Sequence, residues 1–184
     1  MKSLIYEPAE DSYLIATVIP NYVKNKSIID IGTGSGILAK KAKESGAKSV
    51  IAVDINLEAI KQLKKEKIKV VQSDLFSQVN KKFDIIICNP PYLPDYAHED
   101  TESKRITTGG KKGDEFILKF LKQAVDHLNK KGIILILLSS LTPQNRINRL
   151  LKKLSLSRKK IASKKLFFET LEVWEIKKSL NLVI

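Results

Sequence analysis

Short apolar runs alternate along this chain with stretches in which apolar residues recur at helical spacing. Lys26–Ile31, Ser49–Asp54, Ile68–Gln72, Phe83–Cys88 and Gly132–Leu138 read as strands, rich in β-branched residues and apolar on both faces where they lie centrally. Between them, Ile37–Ser45, Leu57–Lys67 and Gly113–Asn129 carry helical periodicity, the last with Phe116, Leu118, Phe120, Leu121, Ala124, Val125 and Leu128 as its expected buried set. An opening helix begins after Pro8, with acids in its first turn, and closes at Pro20. A basic helix runs from Thr142-Pro143-Gln144 to about Leu154, and Arg158–Ile161 and Glu169–Ile176 alternate as a final antiparallel pair. Strands alternating with helices predict an α/β fold with a doubly wound, mostly parallel sheet of seven strands. No repeat or linker interrupts residues 1–184, so one domain is expected, with residues 1–25 contributing the opening helix.

Two turns at strand ends carry candidate chemistry. The first strand runs into Gly32-Thr33-Gly34-Ser35-Gly36 and then a helix, which lets backbone approach a ligand closely at a helix amino end. Asp54 ends the next strand, where a carboxylate commonly accepts from ribose hydroxyls, completing a Rossmann-like pattern. The spacing is Gly-x-Gly-x-Gly rather than the dinucleotide fingerprint, and Asp30 just before it would repel a pyrophosphate. A nucleoside bearing a cationic amino-acid portion, as in S-adenosylmethionine (SAM), suits both Asp54 and Asp30. Asp74, after the third strand, is placed to accept an adenine amino group, with Leu75 against the ring; an exposed turn acid is the bland alternative.

The fourth strand ends in Asn89-Pro90-Pro91-Tyr92. Neither proline can donate a ladder hydrogen bond, so the strand stops, and Asn89, preceding a proline, is held extended. The Asn89 carboxamide oxygen and the Pro90 carbonyl are two adjacent acceptors suited to a planar NH2 group, whose face Tyr92 can cover. A rigid turn ending a core strand is the competing reading.

Composition narrows the remaining classes. One cysteine, Cys88, excludes an internal disulfide framework, fits a reducing cytosol and reads as a buried thiol. No apolar run is long enough to span a bilayer, and an acid at Glu7 precedes any signal-peptide core. His98, His127 and Cys88 lack zinc-site spacing, so no intrinsic metal is expected. His98, in the aperiodic Leu93–Lys112 loop, has no orienting partner that would make it a general base. Of the net charge of +13, nine positive charges lie in an acid-free stretch: Arg146, Arg149, Lys152, Lys153, Arg158, Lys159, Lys160, Lys164 and Lys165. Such a stripe is either a ribosome or RNA contact or a solvated face.

With Asp30-Ile31-Gly32-Thr33-Gly34-Ser35-Gly36, Asp54, Ser73-Asp74-Leu75-Phe76 and Asn89-Pro90-Pro91-Tyr92 in order, the chain resembles class I SAM-dependent methyltransferases. More closely, it resembles the HemK/PrmC-related protein glutamine N5-methyltransferases of the short archaeal and eukaryotic branch, through Tyr6-Glu7-Pro8-Ala9-Glu10-Asp11-Ser12 and Gly109-Gly110-Lys111-Lys112-Gly113. The resemblance implies methylation of the glutamine in the Gly-Gly-Gln loop of a class I translation termination factor, with S-adenosylhomocysteine as product. It implies a catalytic Asn89-Pro90-Pro91-Tyr92 turn and a cofactor site of Glu10, Asp11, Asp30, Gly32, Thr33, Gly34, Gly36, Asp54, Ile55, Ser73, Asp74, Leu75 and Asn89. It also implies a small zinc-binding activator subunit paired with the third-strand edge, no separate substrate-recognition domain and a cytoplasmic enzyme. The Asn-Pro-Pro-Tyr turn also occurs in adenine and cytosine amino-methyltransferases, so methylation of RNA or DNA stays an alternative. An inactive SAM-binding scaffold is a third.

Overall fold

The structure, a computed structural model, describes residues 5–66, 68–95 and 107–179. Helix α1 (Glu10–Val18) continues into a 3-10 turn at Ile19–Asn21, followed by β1 (Ser27–Ile31), α2 (Ile37–Glu44), β2 (Ser49–Asp54), α3 (Leu57–Lys65), β3 (Lys69–Gln72) and β4 (Phe83–Cys88). Then come α4 (Glu115–Ala124), a 3-10 turn at Val125–His127, β5 (Leu128–Ser139), α5 (Gln144–Lys153), β6 (Leu156–Lys165) and β7 (Thr170–Lys178). The strands form one sheet in the order β3-β2-β1-β4-β5-β7-β6. The five from β3 to β5 are parallel; β7 is antiparallel to β5 and β6 to β7. This is the α/β class read from the pattern.

Alternation within the strands divides the core. Ile28, Ile85, Ile87, Leu135 and Leu137 pack with Ile15 of α1, with Ile19 of the 3-10 turn after it and with Leu38 of α2. Ile29, Ile86, Cys88, Ile134 and Ile136 face the other way, onto Phe120 and Leu121 of α4 and Ile147 of α5. The ladder between β4 and β5 shifts register between Phe83 and Ile85, which lets Phe83 share a face with Ile86 and Cys88 rather than with Ile85. Winding reverses between β1 and β4, whose terminal residues Ile31 and Cys88 pair directly. Ligands of such sheets bind outside the carboxyl ends of the strands at this switch point.

Several boundaries differ from the periodicity. The helix expected to reach Asn129 stops at Ala124, because His127 to Asn129 are engaged by β4 and the segment that leads into it. The His127 ring stacks on Phe76 at 4.5 Å, Leu128 pairs with Phe83, and Asn129 Nδ2 donates to Asp84 Oδ1 at 2.8 Å. Its buried face is Ile117, Phe120, Leu121 and Ala124, while Phe116 and Leu118 are half-buried. Pro20 lies within the 3-10 turn rather than beyond the helix. Cys88 is fully buried, and burial, then the nearby Asp30 charge, pushes its thiol far above the ordinary range.

Candidate active site

Asn89 leaves β4 at the switch point. Its Nδ2 donates to Ser12 Oγ at 3.2 Å, while its Oδ1 is buried and accepts no hydrogen bond. Among the described residues only two other buried side-chain atoms lack a partner, Asp30 Oδ1 and Asp114 Oδ2. Two of the three therefore lie at the strand ends singled out by sequence. An orphaned buried acceptor is costly, so its retention here favours an NH donor supplied by a ligand. Ser12 lies one turn into α1, whose inward face carries Asp11, Ser12, Ile15 and Val18. Asp11 accepts from the Tyr6 hydroxyl at 2.8 Å and from the Ser12 backbone at 2.5 Å. Ser12 thus ties the start of the helix to the turn, and Asp11 ties it to Tyr6. Sequence reading passed over Ser12; its signal was the spacing to Ile15 and Ile19, which puts a hydroxyl on an otherwise apolar helix face.

The Pro-Pro-Tyr segment is braced from behind by glycines. A Cβ on Gly109 would stand 2.7 Å from the Pro91 carbonyl oxygen, and one on Gly113, at φ +83°, 2.7 Å from that of Tyr92. Backbone contact this close excludes any side chain, which accounts for the Gly-Gly-x-x-Gly element. The loop's ends are joined by Leu93 N donating to Thr107 O at 3.0 Å and Gly109 N to Leu93 O at 2.9 Å. His98 lies outside the described residues. Tyr92 is half-buried, and burial, then the Asp11 and Glu169 charges, push its phenol above the ordinary range.

The glycine turn stands beside Asn89. Gly32, Gly34 and Gly36 all have positive φ; a Cβ on Gly32 would meet nothing within 4 Å, so this backbone faces open space. Asp54 reaches back into the turn, its Oδ2 accepting from Gly34 N at 2.8 Å and its Oδ1 from Asn56 N at 2.8 Å. Ile55 beside it is 68% exposed, an apolar side chain free to cover a flat ring. Asp30 is fully buried. Its Oδ2 accepts from Thr33 Oγ1 at 2.6 Å and Ala39 N at 3.2 Å, its Oδ1 from nothing. Burial pushes its carboxyl up to about 7, the two hydrogen bonds oppose this, and the Asp54 charge adds to it. A cation reaching Asp30 would satisfy the orphaned oxygen and restore the charged form.

Other predicted site residues are engaged elsewhere. Ser73 is buried, its hydroxyl shared with Ser77 Oγ at 3.0 Å and Gln78 N at 3.0 Å. Asp74 is exposed and ion-paired with Lys119 at 2.6 Å. Leu75, at φ +51°, points into the core. Glu10 is exposed and paired with Lys164 of β6. The basic stripe is partly spent: Arg146 bridges Asp114 at 2.8 Å and Glu115 at 3.3 Å, Lys160 pairs with Glu172 at 2.9 Å, and Arg158 lies over the Trp174 ring at 4.1 Å. Among the described residues no cluster of three His, Cys, Asp or Glu side chains could hold a metal, and no helix is long and apolar enough to cross a membrane.

A family model described as the methyltransferase small domain matches residues 10–168, and the chain belongs to that family. Within it, the chain is 38% identical over 177 residues to a Methanocaldococcus jannaschii protein carrying the provisional name protein N5-glutamine methyltransferase, covering 92% of this chain and 89% of the relative. It is 34% identical over 131 residues to the release factor glutamine methyltransferase of Rhodopirellula baltica, across 61% of this chain but only 44% of that longer protein. Among solved structures, the E. cuniculi Mtq2-Trm112 complex, described as responsible for methylation of the eRF1 translation termination factor, superposes with a TM-score of 0.74. It is 26% identical, and the match covers 95% of this chain and 99% of that one.

Proposed function

We propose that this chain transfers a methyl group from SAM to the side-chain nitrogen of the glutamine in the Gly-Gly-Gln loop of a translation termination factor. The observation that carries the reading is the Asn89 carboxamide, its nitrogen committed to Ser12 and its buried oxygen left to accept. The similarity over nearly its whole length to a protein named for glutamine methylation, and to one described as acting on eRF1, supports the choice of substrate.

The residues at the switch point fit SAM. Asp30, with its unsatisfied oxygen, and the glycine turn suit the cationic amino-acid portion, Asp54 a ribose, and Ile55 a base. When bound, SAM supplies a methyl group activated on a sulfonium. An amide nitrogen is a poor nucleophile because its lone pair is delocalised, so this chain's task is orientation. Asn89 Oδ1 and the Pro90 carbonyl accept the two N–H donors, Tyr92 covers the amide plane, and the nitrogen is held by groups that favour positive charge developing on it. The proton can leave afterwards, so no base is required of His98.

The reading assigns a small zinc-binding activator to the edge strand β3, whose outer backbone groups could pair with it; the Mtq2-Trm112 complex supports a two-chain enzyme. A cytoplasmic site of action follows from a translation-factor substrate. A tritiated methyl-transfer assay on chain co-expressed with its activator tests the reading. Label on Gly-Gly-Gln factor and none on Gly-Gly-Ala factor or bulk RNA is expected; label on RNA would assign Asn89 to a base amine instead.

A further inference from the structure

The hairpin joining β6 and β7 is closed by Leu166 N donating to Glu169 O at 2.8 Å, which leaves Phe167 and Phe168 at its tip. They are 92% and 84% exposed, the two most exposed large apolar side chains among the described residues. A pair of solvated phenylalanines serves no purpose in the core. The hairpin stands at the same edge of the sheet as the candidate site. Cys88 pairs with Ile136 and, three residues further along β5, Ser139 pairs with Leu171, so the turn projects past the carboxyl ends of β1 and β4 by roughly 10 Å or more. It is braced there: Ser139 Oγ donates to Glu169, Thr170 N to Ser140 Oγ at 2.9 Å, and Lys164 pairs with Glu10 at the start of α1.

We infer that the Phe167–Phe168 tip is the docking knob for the body of the protein substrate, seating in an apolar recess edged by acidic side chains beside the glutamine loop. The inference rests on the glutamine reading and deepens it. A folded protein that delivers a loop to Asn89 has to cover the rim of this edge, and the knob is continuous with that rim. Lys165 next to it, which makes no ion pair among the described residues, supplies the complement to an acidic border. The rings meet edge to face, at 84° and 4.6 Å, and so form one compact apolar body rather than parallel platforms for stacked bases. The activator proposed at β3 lies at the far end of the seven-strand sheet and leaves the knob uncovered.

The test compares wild type with Phe167→Ser/Phe168→Ser, each with its activator, on intact termination factor and on a short Gly-Gly-Gln peptide. Because both side chains are exposed, unchanged melting and SAM binding are expected. KM for the intact factor rises by about tenfold or more with kcat unchanged, while kcat/KM for the peptide stays within about twofold. Wild-type methylation of the factor with no change in the variant overturns the inference alone, as does equal loss on the peptide. Loss of RNA retention with factor kinetics intact overturns it in favour of a nucleic-acid contact, and a wild-type dimer that the variant dissolves does so in favour of a second copy. A wild type inactive on the factor removes the glutamine reading and this inference together.

Discussion

A carboxamide can present either end to its surroundings, and at Asn89 the choice is made by a hydroxyl one helix away. With Nδ2 held at Ser12 Oγ, the buried Oδ1 is the end left free to accept. Ser12→Ala releases that choice: kcat is expected to fall about tenfold while SAM affinity stays within about twofold, and Ser12→Thr to restore most of the loss, read by steady-state kinetics and calorimetry. Asp30 gives a pH signature. Its native carboxyl keeps its proton up to about 7, whereas an unfolded one releases it near 3.8. Between these values the native state holds the extra proton, so the unliganded protein loses stability as pH rises through that window and stays at its lowest above it. Asp30→Asn does not titrate. It is expected to melt higher than wild type at about pH 8, by about 2–4 °C per kcal/mol relieved, with the advantage shrinking toward about pH 4, and to bind no SAM. At this scale Asn89, Asp30 and Asp54 could be singled out because each lies at or just past the carboxyl end of a recognisable strand. Ser12 was not, since its role depends on a contact with a residue 77 positions away.

Elements carry the positioning. The Asn-Pro-Pro-Tyr turn keeps its path because the Gly109–Gly113 loop lies backbone to backbone against it, and the two act as one layered unit. A methyl added there has nowhere to go. Gly109→Ala is expected to cost about 1–3 kcal/mol of stability but to lower kcat/KM by about a hundredfold, since a shift near 1 Å misplaces the acceptors; denaturant melts and peptide kinetics separate the two effects. Strand and helix kinds were readable from spacing, and β4 appears over the predicted Phe83–Cys88. The end of α4 was not, because helical periodicity continues through Leu128 while the partners of His127, Leu128 and Asn129 belong to the β4 side of the sheet. Phe76, Lys81, Phe83 and Asp84 are the groups that convert the expected last turn into the start of β5.

At the scale of the molecule, the order β3-β2-β1-β4-β5-β7-β6 puts the site in the middle of the carboxyl edge and leaves one strand edge free on either side. The strong positive charge is more locally balanced than the sequence suggested, since Arg146, Lys160 and Lys164 hold acidic partners from distant segments. Arg149, Lys152, Lys153, Lys159 and Lys165 make no ion pair among the described residues and are the charges of the stripe left to attract an anionic partner. Reversing Lys152 and Lys153 to Glu is expected to leave methylation of the isolated factor within about twofold while weakening retention on RNA, measured by filter binding at two salt concentrations. The one cysteine offers a different kind of access to the same molecule. Sealed in the core beside Asn89 and held as an unreactive thiol, Cys88 can meet a disulfide reagent only when the centre of the sheet parts. Its labelling rate is therefore a built-in clock for opening of the sheet at the candidate site, one that runs without any engineered probe and that a bound ligand should slow.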